Sequence, residues 1–289
     1  MAFAALVLFV ANVFFGTSPV VTRVVLDDVP PVTIALLRLA LAGLALVPFV
    51  RREGRPAPGQ GARVFWMGAI GFSVAFAFSH WGIERSSATN AALLIVVEPL
   101  TIVALGPLML GERLTRREAA GAALAIAGAL LVVVNGVPGV TLDILPRWRG
   151  DLLLVLSGVA YGIYSLLGRT VLTGANTAGV TARSILWGAL LLVPLAGLEW
   201  ATHPRPQATP SAVAGILYLG LMITAAGYTV WNWALTKVEA SRAAPFLTVQ
   251  PVVGALLGAL VLGEAVTRFT VTGGALIVLG LWLTVTGRR

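Results

Sequence analysis

Several residue types are scarce or absent in this chain of 289 residues. It contains no cysteine and only two histidines, His80 and His203. The missing cysteines exclude disulfide frameworks, thiolate metal sites and cysteine nucleophiles, and two histidines argue against a zinc or haem centre. Charged residues make up only 11% of the chain, against about 25% in soluble domains. The chain therefore has too little charge to cover the surface of a water-soluble fold.

Apolar residues dominate what is present. They account for 58% of the chain, and the mean hydropathy is +0.92, which excludes intrinsic disorder. The net charge of +8 would suggest nucleic acid as the partner of a soluble protein. Here the arginines lie between apolar runs, as they do in membrane loops. We therefore expect the lipid bilayer as the partner, and no nucleic acid.

The apolar residues form long runs bounded by charge, proline or glycine. A membrane-spanning helix needs ~20 apolar residues, whereas barrel strands are about half that length and alternate in polarity. The predicted spans are 3–24, 32–50, 64–83, 88–110, 119–137, 150–172, 178–198, 212–235, 241–262 and 270–286. The first run lacks a basic segment before it and is predicted to be a span, not a signal peptide. The sequence thus predicts an all-α polytopic membrane protein with ten transmembrane helices.

The distribution of basic residues predicts the orientation. With the N-terminus in the cytoplasm, inner loops hold twelve Lys and Arg residues and outer loops hold six. Cytoplasmic loops carry the excess of positive charge, so both termini are predicted to be cytoplasmic. The longest loops, 51–63, 138–149 and 199–211, are too short to form a soluble catalytic module.

The two halves of the chain resemble each other. At an offset of 152 residues, segment 81–133 matches 233–285 with 20 identities in 53 positions, where a composition so biased gives about five by chance. Spans 1 and 2 match spans 6 and 7 at an offset of 146. We therefore predict two five-helix repeats, 1–137 and 150–289, joined by a periplasmic loop at 138–149. Because five is odd, the second repeat enters the membrane inverted, an arrangement typical of transporters with a substrate site near the midplane. Gene duplication without transport is the alternative.

Three motifs give the chain a family resemblance. They are Leu37-Arg38-Leu39, Glu98-Pro99, and the Leu-Gly-Glu sequence found at 110–112 and again at 262–264. With the repeat, they resemble the EamA-type drug/metabolite transporters over nearly the whole length. The resemblance implies a secondary carrier or exporter of small metabolites in a bacterial inner membrane. Within that superfamily the chain is most similar to exporters of aromatic and other neutral amino acids.

Polar residues at the middle of a span are costly in lipid and point to function. Glu98 lies near the middle of span 4 before Pro99, and its repeat equivalent is Gln250 before Pro251. Proline leaves backbone carbonyls partly free, so these prolines, together with Pro19 in span 1, are predicted helix kinks. The carboxylate of Glu98 and the amide of Gln250 indicate a pocket that binds an ammonium group or a proton. The alternative is a structural kink whose acid bonds a neighbouring helix.

An aromatic residue followed one turn later by a polar one occurs in both halves. Phe76 and His80 in span 3 correspond to Tyr228 and Asn232 in span 8, and residues four apart share a helix face. The predicted substrate-binding residues are Asn12, Phe76, His80, Trp81, Glu98, Tyr164, Tyr228, Asn232, Phe246 and Gln250. For His80 and Trp81 the alternative is an interfacial aromatic belt. For Asn12 the alternative is a hydrogen bond to another helix.

Four further charged residues are similarly placed in the two halves. Arg38 in span 2 and Arg183 in span 7 are predicted to gate the pathway or pair with a carboxylate, unless they snorkel to the interface. Glu112 and Glu264 lie in short turns before helices, where an acid favours a helix N-terminus. We interpret these two as capping or loop-fixing residues.

These features together predict a secondary transporter that exports neutral or aromatic amino acids by alternating access. No G-x-x-x-x-G-K-[ST] phosphate loop occurs, so a gradient is expected to supply the energy and no cofactor is expected. Export of other amphipathic drugs or metabolites is the first alternative. A channel, a receptor or a membrane-embedded enzyme is less favoured, because no H-x-x-x-H or G-x-S-x-G motif occurs. Because the inverted repeat is fused in one chain, we expect a functional monomer.

Overall fold

The computed structural model describes residues 2–53, 60–110, 115–140, 146–172, 177–230 and 248–286. The regular structure in these ranges is helical throughout. The α-helices are α1 (Ala2–Val25), α2 (Pro31–Glu53), α3 (Gln60–Met67), α4 (Ala75–Arg85), α5 (Ala88–Leu94), α6 (Val97–Leu110), α7 (Arg116–Asn135), α8 (Trp148–Leu172), α9 (Thr177–Glu199), α10 (Pro210–Leu217), α11 (Val249–Leu262) and α12 (Arg268–Thr286).

Eight helical stretches among the described residues are long and apolar enough to cross a membrane. They are Leu6–Val25, Pro31–Val50, Gln60–Arg85, Ala88–Met109, Arg116–Asn135, Trp148–Gly168, Ala178–Glu199 and Pro210–Val230. They coincide with the first eight predicted spans, and the apolar helices α11 and α12 coincide with the described parts of the last two. Large apolar side chains on the outer surface, such as Leu108 at 82% exposure, suit contact with lipid. The protein is therefore an all-α polytopic membrane protein.

The third predicted span of each half contains a wide π-helical segment. Gly68–Val74 separates α3 from α4, and Tyr218–Gly227 follows α10. Such segments are rare and occur frequently at functional sites. Phe72 and Thr224 lie at equivalent positions in the two segments, and both are buried. The two segments therefore differ in chemistry at equivalent positions, with a phenylalanine in the first half and a threonine in the second.

The fourth predicted span is broken shortly before its proline. Helix α5 ends at Leu94, α6 begins at Val97, and Pro99 lies in the first turn of α6. Pro251 likewise lies in the first turn of α11. A first-turn position suits proline because its missing N–H would be unsatisfied there in any residue. Pro19 differs, because it lies within α1, which continues from Ala2 to Val25.

Helices α7 and α12 cross at four glycines. A Cβ added at Gly121 would lie 2.7 Å from the Gly280 oxygen, and one added at Gly128 would lie 2.5 Å from the Gly273 oxygen. The order of these pairs shows that the two helices run antiparallel. Small residues allow such close backbone contact between membrane helices. The glycines therefore let a helix of one half pack directly on its equivalent in the other.

A second pair of glycines brings the halves together around Glu98 and Gln250. A Cβ at Gly16 in α1 would lie 2.9 Å from the Gln250 oxygen in α11. A Cβ at Gly162 in α8 would lie 3.0 Å from the Glu98 oxygen in α6. These contacts occupy equivalent positions in the two predicted repeats. Each central polar residue is thus held against the first helix of the opposite half.

Candidate functional site

Arg38 lies inside the helix assembly, with a relative exposure of 5%. Its Nε donates to the Thr224 hydroxyl at 3.0 Å, and its Nη1 donates to the Ser18 hydroxyl at 3.3 Å. The guanidinium carbon lies 4.8 Å from the ring centroid of Phe76, a cation–π contact. Because the side chain is buried, the idea that Arg38 snorkels to the interface is wrong. Among the described residues no carboxylate pairs with it.

Aromatic rings from predicted spans 3, 6 and 8 form a cluster beside Arg38. Phe72 contacts Tyr164 and Tyr228 with centroid distances of 5.1 and 5.8 Å, and Phe76 contacts Tyr161 at 5.7 Å. All three pairs have the edge-on geometry that aromatic quadrupoles favour. Tyr161 and Tyr164 come from α8, and Tyr228 follows the second π-helical segment. The cluster therefore combines residues from both halves of the chain.

Glu98 lies near the same tyrosines. Its carboxylate accepts a hydrogen bond of 2.9 Å from the hydroxyl of Ser165 on α8. It is within electrostatic range of Tyr161, Tyr164 and Tyr228. Glu98 and the three tyrosines lie deep among the helices but are only half-buried. The bond to Ser165 is the contact expected of a structural acid, while the partial exposure leaves carboxylate surface available to a ligand.

Asn12 and Gln250 form a separate polar pair. Gln250 Nε2 donates to Asn12 Oδ1 at 2.6 Å, and Asn12 Nδ2 donates to the Leu8 oxygen at 2.8 Å. The first bond joins α1 to α11, which confirms the alternative that Asn12 bonds another helix. Asn12 is fully buried, whereas Gln250 is half-buried. Of this pair, Gln250 therefore has the more accessible side chain.

His80 is enclosed by the protein, with an exposure of 1%. Its ring stacks on Phe76 at 5.9 Å, and its Nδ1 lies 2.7 Å from the Phe76 oxygen. The shared face predicted for these two residues is present, and the interfacial-belt alternative for His80 is wrong. The Nε2 atom is buried without a hydrogen-bond partner among the described residues. Trp81 is half-buried and packs at 6.4 Å from the ring of Phe78.

The structure brings together most of the described residues predicted to bind substrate. Phe76, His80, Glu98, Tyr164 and Tyr228 belong to the cluster around Arg38. Asn232 and Phe246 lie outside the described residues. Arg183 is half-buried on α9, and its gating role stays a prediction. Among the described residues, no group of three His, Asp or Glu side chains is placed to hold a metal ion.

The sequence prediction missed five residues that contribute to the candidate site: Ser18, Phe72, Tyr161, Ser165 and Thr224. One pattern pointed to two of them, because Tyr161 lies three residues before the predicted Tyr164 and four residues before Ser165, and such spacings place residues on one helix face. The others carry no sequence signal, since single hydroxyls and phenylalanines are common in spans.

Glu264 fixes a helix of the opposite half. Its two carboxylate oxygens accept hydrogen bonds of 2.7 Å from the backbone N–H groups of Ala88 and Thr89, at the start of α5. The capping role predicted for Glu264 is confirmed, although the helix it caps is α5 instead of the one that follows it. Glu112 lies outside the described residues.

Comparison with known proteins identifies the family. A family model described as the EamA-like transporter family matches residues 2–134 and again 148–286. The chain belongs to this family. Membership indicates a transporter, not an enzyme, and confirms the resemblance to drug/metabolite transporters.

Relatives whose names state a function include amino-acid exporters. A probable terminal-alkyne amino-acid exporter of Streptantibioticus cattleyicolor is 30% identical over 90% of this chain and 86% of that protein. A probable amino-acid metabolite efflux pump of Escherichia coli is 27% identical, with 96% and 93% covered. An uncharacterized transporter of Archaeoglobus fulgidus is 28% identical, with 96% of each chain covered.

One solved crystal structure has the same fold. It superposes with a TM-score of 0.68 at 22% identity, over 98% of this chain and 96% of the other. At this identity the likeness shows the fold alone.

Proposed function

We propose that the protein is a secondary exporter of small metabolites, with neutral or aromatic amino acids as substrates. The observation that carries the proposal is the cluster of Glu98, three tyrosines and two phenylalanines contributed by both halves of a membrane transporter. The names of relatives from Streptantibioticus cattleyicolor and Escherichia coli point to the same substrate class.

The chemistry of the cluster suits an amphipathic zwitterion. Small-molecule sites are mostly apolar and aromatic, with a few polar groups that orient the ligand. Glu98 and the hydroxyls of Tyr161, Tyr164 and Tyr228 supply acceptors for an ammonium group, and the rings of Phe72 and Phe76 supply apolar surface. Partial exposure of deep side chains is expected when they border an internal space, and Glu98 and the three tyrosines have this property.

Alternating access by two inverted repeats is the proposed mechanism, with ten membrane-spanning helices in all. The family model matches the two halves separately, which supports a duplication. Helices α7 and α12, equivalent in the two halves, run antiparallel through their glycines, as inversion requires. Two near-equivalent halves can exchange conformations and so open a shared site to either side of the membrane.

The proposed setting is the bacterial inner membrane, with both termini in the cytoplasm and one chain as the functional unit. The excess of basic residues in the predicted inner loops supports this orientation. The contacts of Gly16 and Gly162, which place each central polar residue against the opposite half, support a site complete within one chain.

Counterflow in proteoliposomes tests the proposal. Purified protein is reconstituted with unlabelled amino acid inside, and uptake of labelled L-phenylalanine, L-leucine and L-threonine is followed, beside Glu98→Gln. We expect saturable uptake of at least one amino acid and a large loss in Glu98→Gln. Glu84→Gln is the matched control, because Glu84 pairs with Arg85 and His203 at the end of α4, away from the cluster.

Two outcomes would contradict the proposal in different ways. Folded protein that exchanges none of the three amino acids would refute the substrate class, and amphipathic cations would be tested next. Equal transport activity of the wild type and Glu98→Gln under every gradient would show that Glu98 does not take part in substrate binding. Loss of activity only under a proton gradient would indicate that Glu98 carries the coupled proton.

A further inference from the structure

Arg38 is a buried cation that contacts no acidic side chain among the described residues. We propose that Arg38 binds the carboxylate of the substrate, so that the site recognises both charged ends of an amino acid. This inference rests on the proposed amino-acid export and specifies which groups of the substrate the protein recognises. Glu98 then takes the ammonium group and Arg38 the carboxylate.

The guanidinium group is held in a fixed orientation but keeps donors to spare. It has five N–H donors, and the bonds to Ser18 and Thr224 use one on Nη1 and one on Nε. Thr224 is itself anchored, because its hydroxyl donates to the Leu219 oxygen at 2.8 Å. The ring of Phe76 supports the guanidinium group. No described residue accepts a hydrogen bond from Nη2 or from the second donor on Nη1, and two such donors match the two oxygens of a carboxylate.

The charge of Arg38 is uncompensated among the described residues. Its partners there are two neutral hydroxyls and an aromatic ring. Burial of an isolated ion is costly unless it is paired, and a buried ionisable group inside a membrane helix assembly is more often functional than structural. An anion that enters from outside the chain would complete this site.

Arg38 and Glu98 both lie near two of the same tyrosines. Tyr161 and Tyr228 are each within electrostatic range of both charges. Arg38 and Glu98 form no ion pair with each other. Two opposite charges that do not pair with each other, beside the same aromatic rings, form a complementary frame for a zwitterion. A phosphate ester fits less well, because its extra negative charge would meet the carboxylate of Glu98.

The amide of an amino acid provides a direct test. It keeps the side chain and the ammonium group but has no carboxylate. Counterflow of labelled L-phenylalanine, L-leucine and L-threonine is measured in competition with the unlabelled amino acid and, separately, with its amide. In the wild type we expect the amide to require at least about tenfold higher concentration for half-inhibition, the discrimination of a lost charge-assisted hydrogen bond.

Substitution of Arg38 should abolish this discrimination specifically. In Arg38→Gln the ratio of amide to amino-acid half-inhibition should fall to about one. In Arg38→Lys, which keeps the charge but loses the paired donors, it should be intermediate. Arg268→Gln is the matched control, because Arg268 also lies over a phenylalanine ring, that of Phe269 at 5.4 Å, but is exposed. Its ratio should equal that of the wild type.

The failures of the two proposals are distinguishable. If the protein exchanges none of the amino acids, both the proposed function and this inference are refuted. If amino acids exchange but their amides compete equally well in the wild type, only the Arg38 inference is overturned. The same holds if the ratio stays above ten in Arg38→Gln. The wild-type ratio decides the inference even when Arg38→Gln does not fold, and Arg38→Lys then locates the effect.

Discussion

Substitution of Gly128 by alanine should weaken the packing between the two halves of the protein. The new Cβ would lie 2.5 Å from the Gly273 oxygen and 2.8 Å from the Ile277 nitrogen. Both are backbone atoms that cannot rotate away, and ordinary contacts begin at 3.4 Å. Helices α7 and α12 must therefore separate by roughly 1 Å, and overpacking of this kind costs about 1–3 kcal/mol.

The same substitution at Gly197 is the matched control. Gly197 lies in α9, and a Cβ there would meet nothing within 4 Å. Alanine favours a helix over glycine by about 1 kcal/mol, and this gain applies to both variants. The difference between them therefore isolates the steric cost, which corresponds to about 2–4 °C in Tm per kcal/mol.

Thermal unfolding in detergent, followed by tryptophan fluorescence, measures this difference. We expect Gly128→Ala to unfold at a lower temperature than the wild type and Gly197→Ala at the same or a higher temperature. The packing argument is refuted if Gly128→Ala is as stable as Gly197→Ala.

Two further predictions concern the cap of α5 and the orientation in the membrane. Glu264→Gln leaves one acceptor oxygen for two backbone N–H groups, so the free energy of unfolding should fall by about 1–3 kcal/mol; unchanged denaturant unfolding would show that the cap contributes nothing. The chain has no cysteine, so Ala62→Cys and Ala208→Cys each introduce a single label site at an exposed position. A membrane-impermeant maleimide should label Ala208→Cys in intact cells and Ala62→Cys only after permeabilisation, and the reverse pattern would overturn the orientation with cytoplasmic termini.

The spans and the central polar residues could be predicted from the sequence because lipid imposes strong constraints. A run of apolar residues near 20 is sufficient to identify a span, and eight such helices occur where they were expected. Glu98, Tyr164 and Tyr228 stand out because polar atoms at midspan are costly. The π-helical segments around Phe72 and Thr224 were not predicted, because nothing in an apolar run distinguishes a wide helical turn from an ordinary one.

Pairings across helices could not be predicted, because they depend on how two helices are rotated and offset. The sequence placed Asn12 and Gln250 in spans 1 and 9 without indicating their hydrogen bond. It placed Arg38 one and a half turns into span 2, where snorkelling and burial were equally compatible with its position. Only the packing of α2 against the second π-helical segment sets Arg38 against Thr224.

The backbone contacts of the two halves are alike, but their central chemistry differs. Gly68 and Gly220 make equivalent approaches, to the Ser184 oxygen at 2.5 Å and the Arg38 oxygen at 3.2 Å. Ser184 is thus the counterpart of Arg38, and Gln250 is the counterpart of Glu98. Both charged residues therefore belong to the first half, and neutral residues replace them in the second. This asymmetry agrees with the proposed recognition of a zwitterion, because two equivalent sets of charges would bind the substrate equally well in opposite orientations. A single carboxylate and a single guanidinium define one orientation of the proposed substrate.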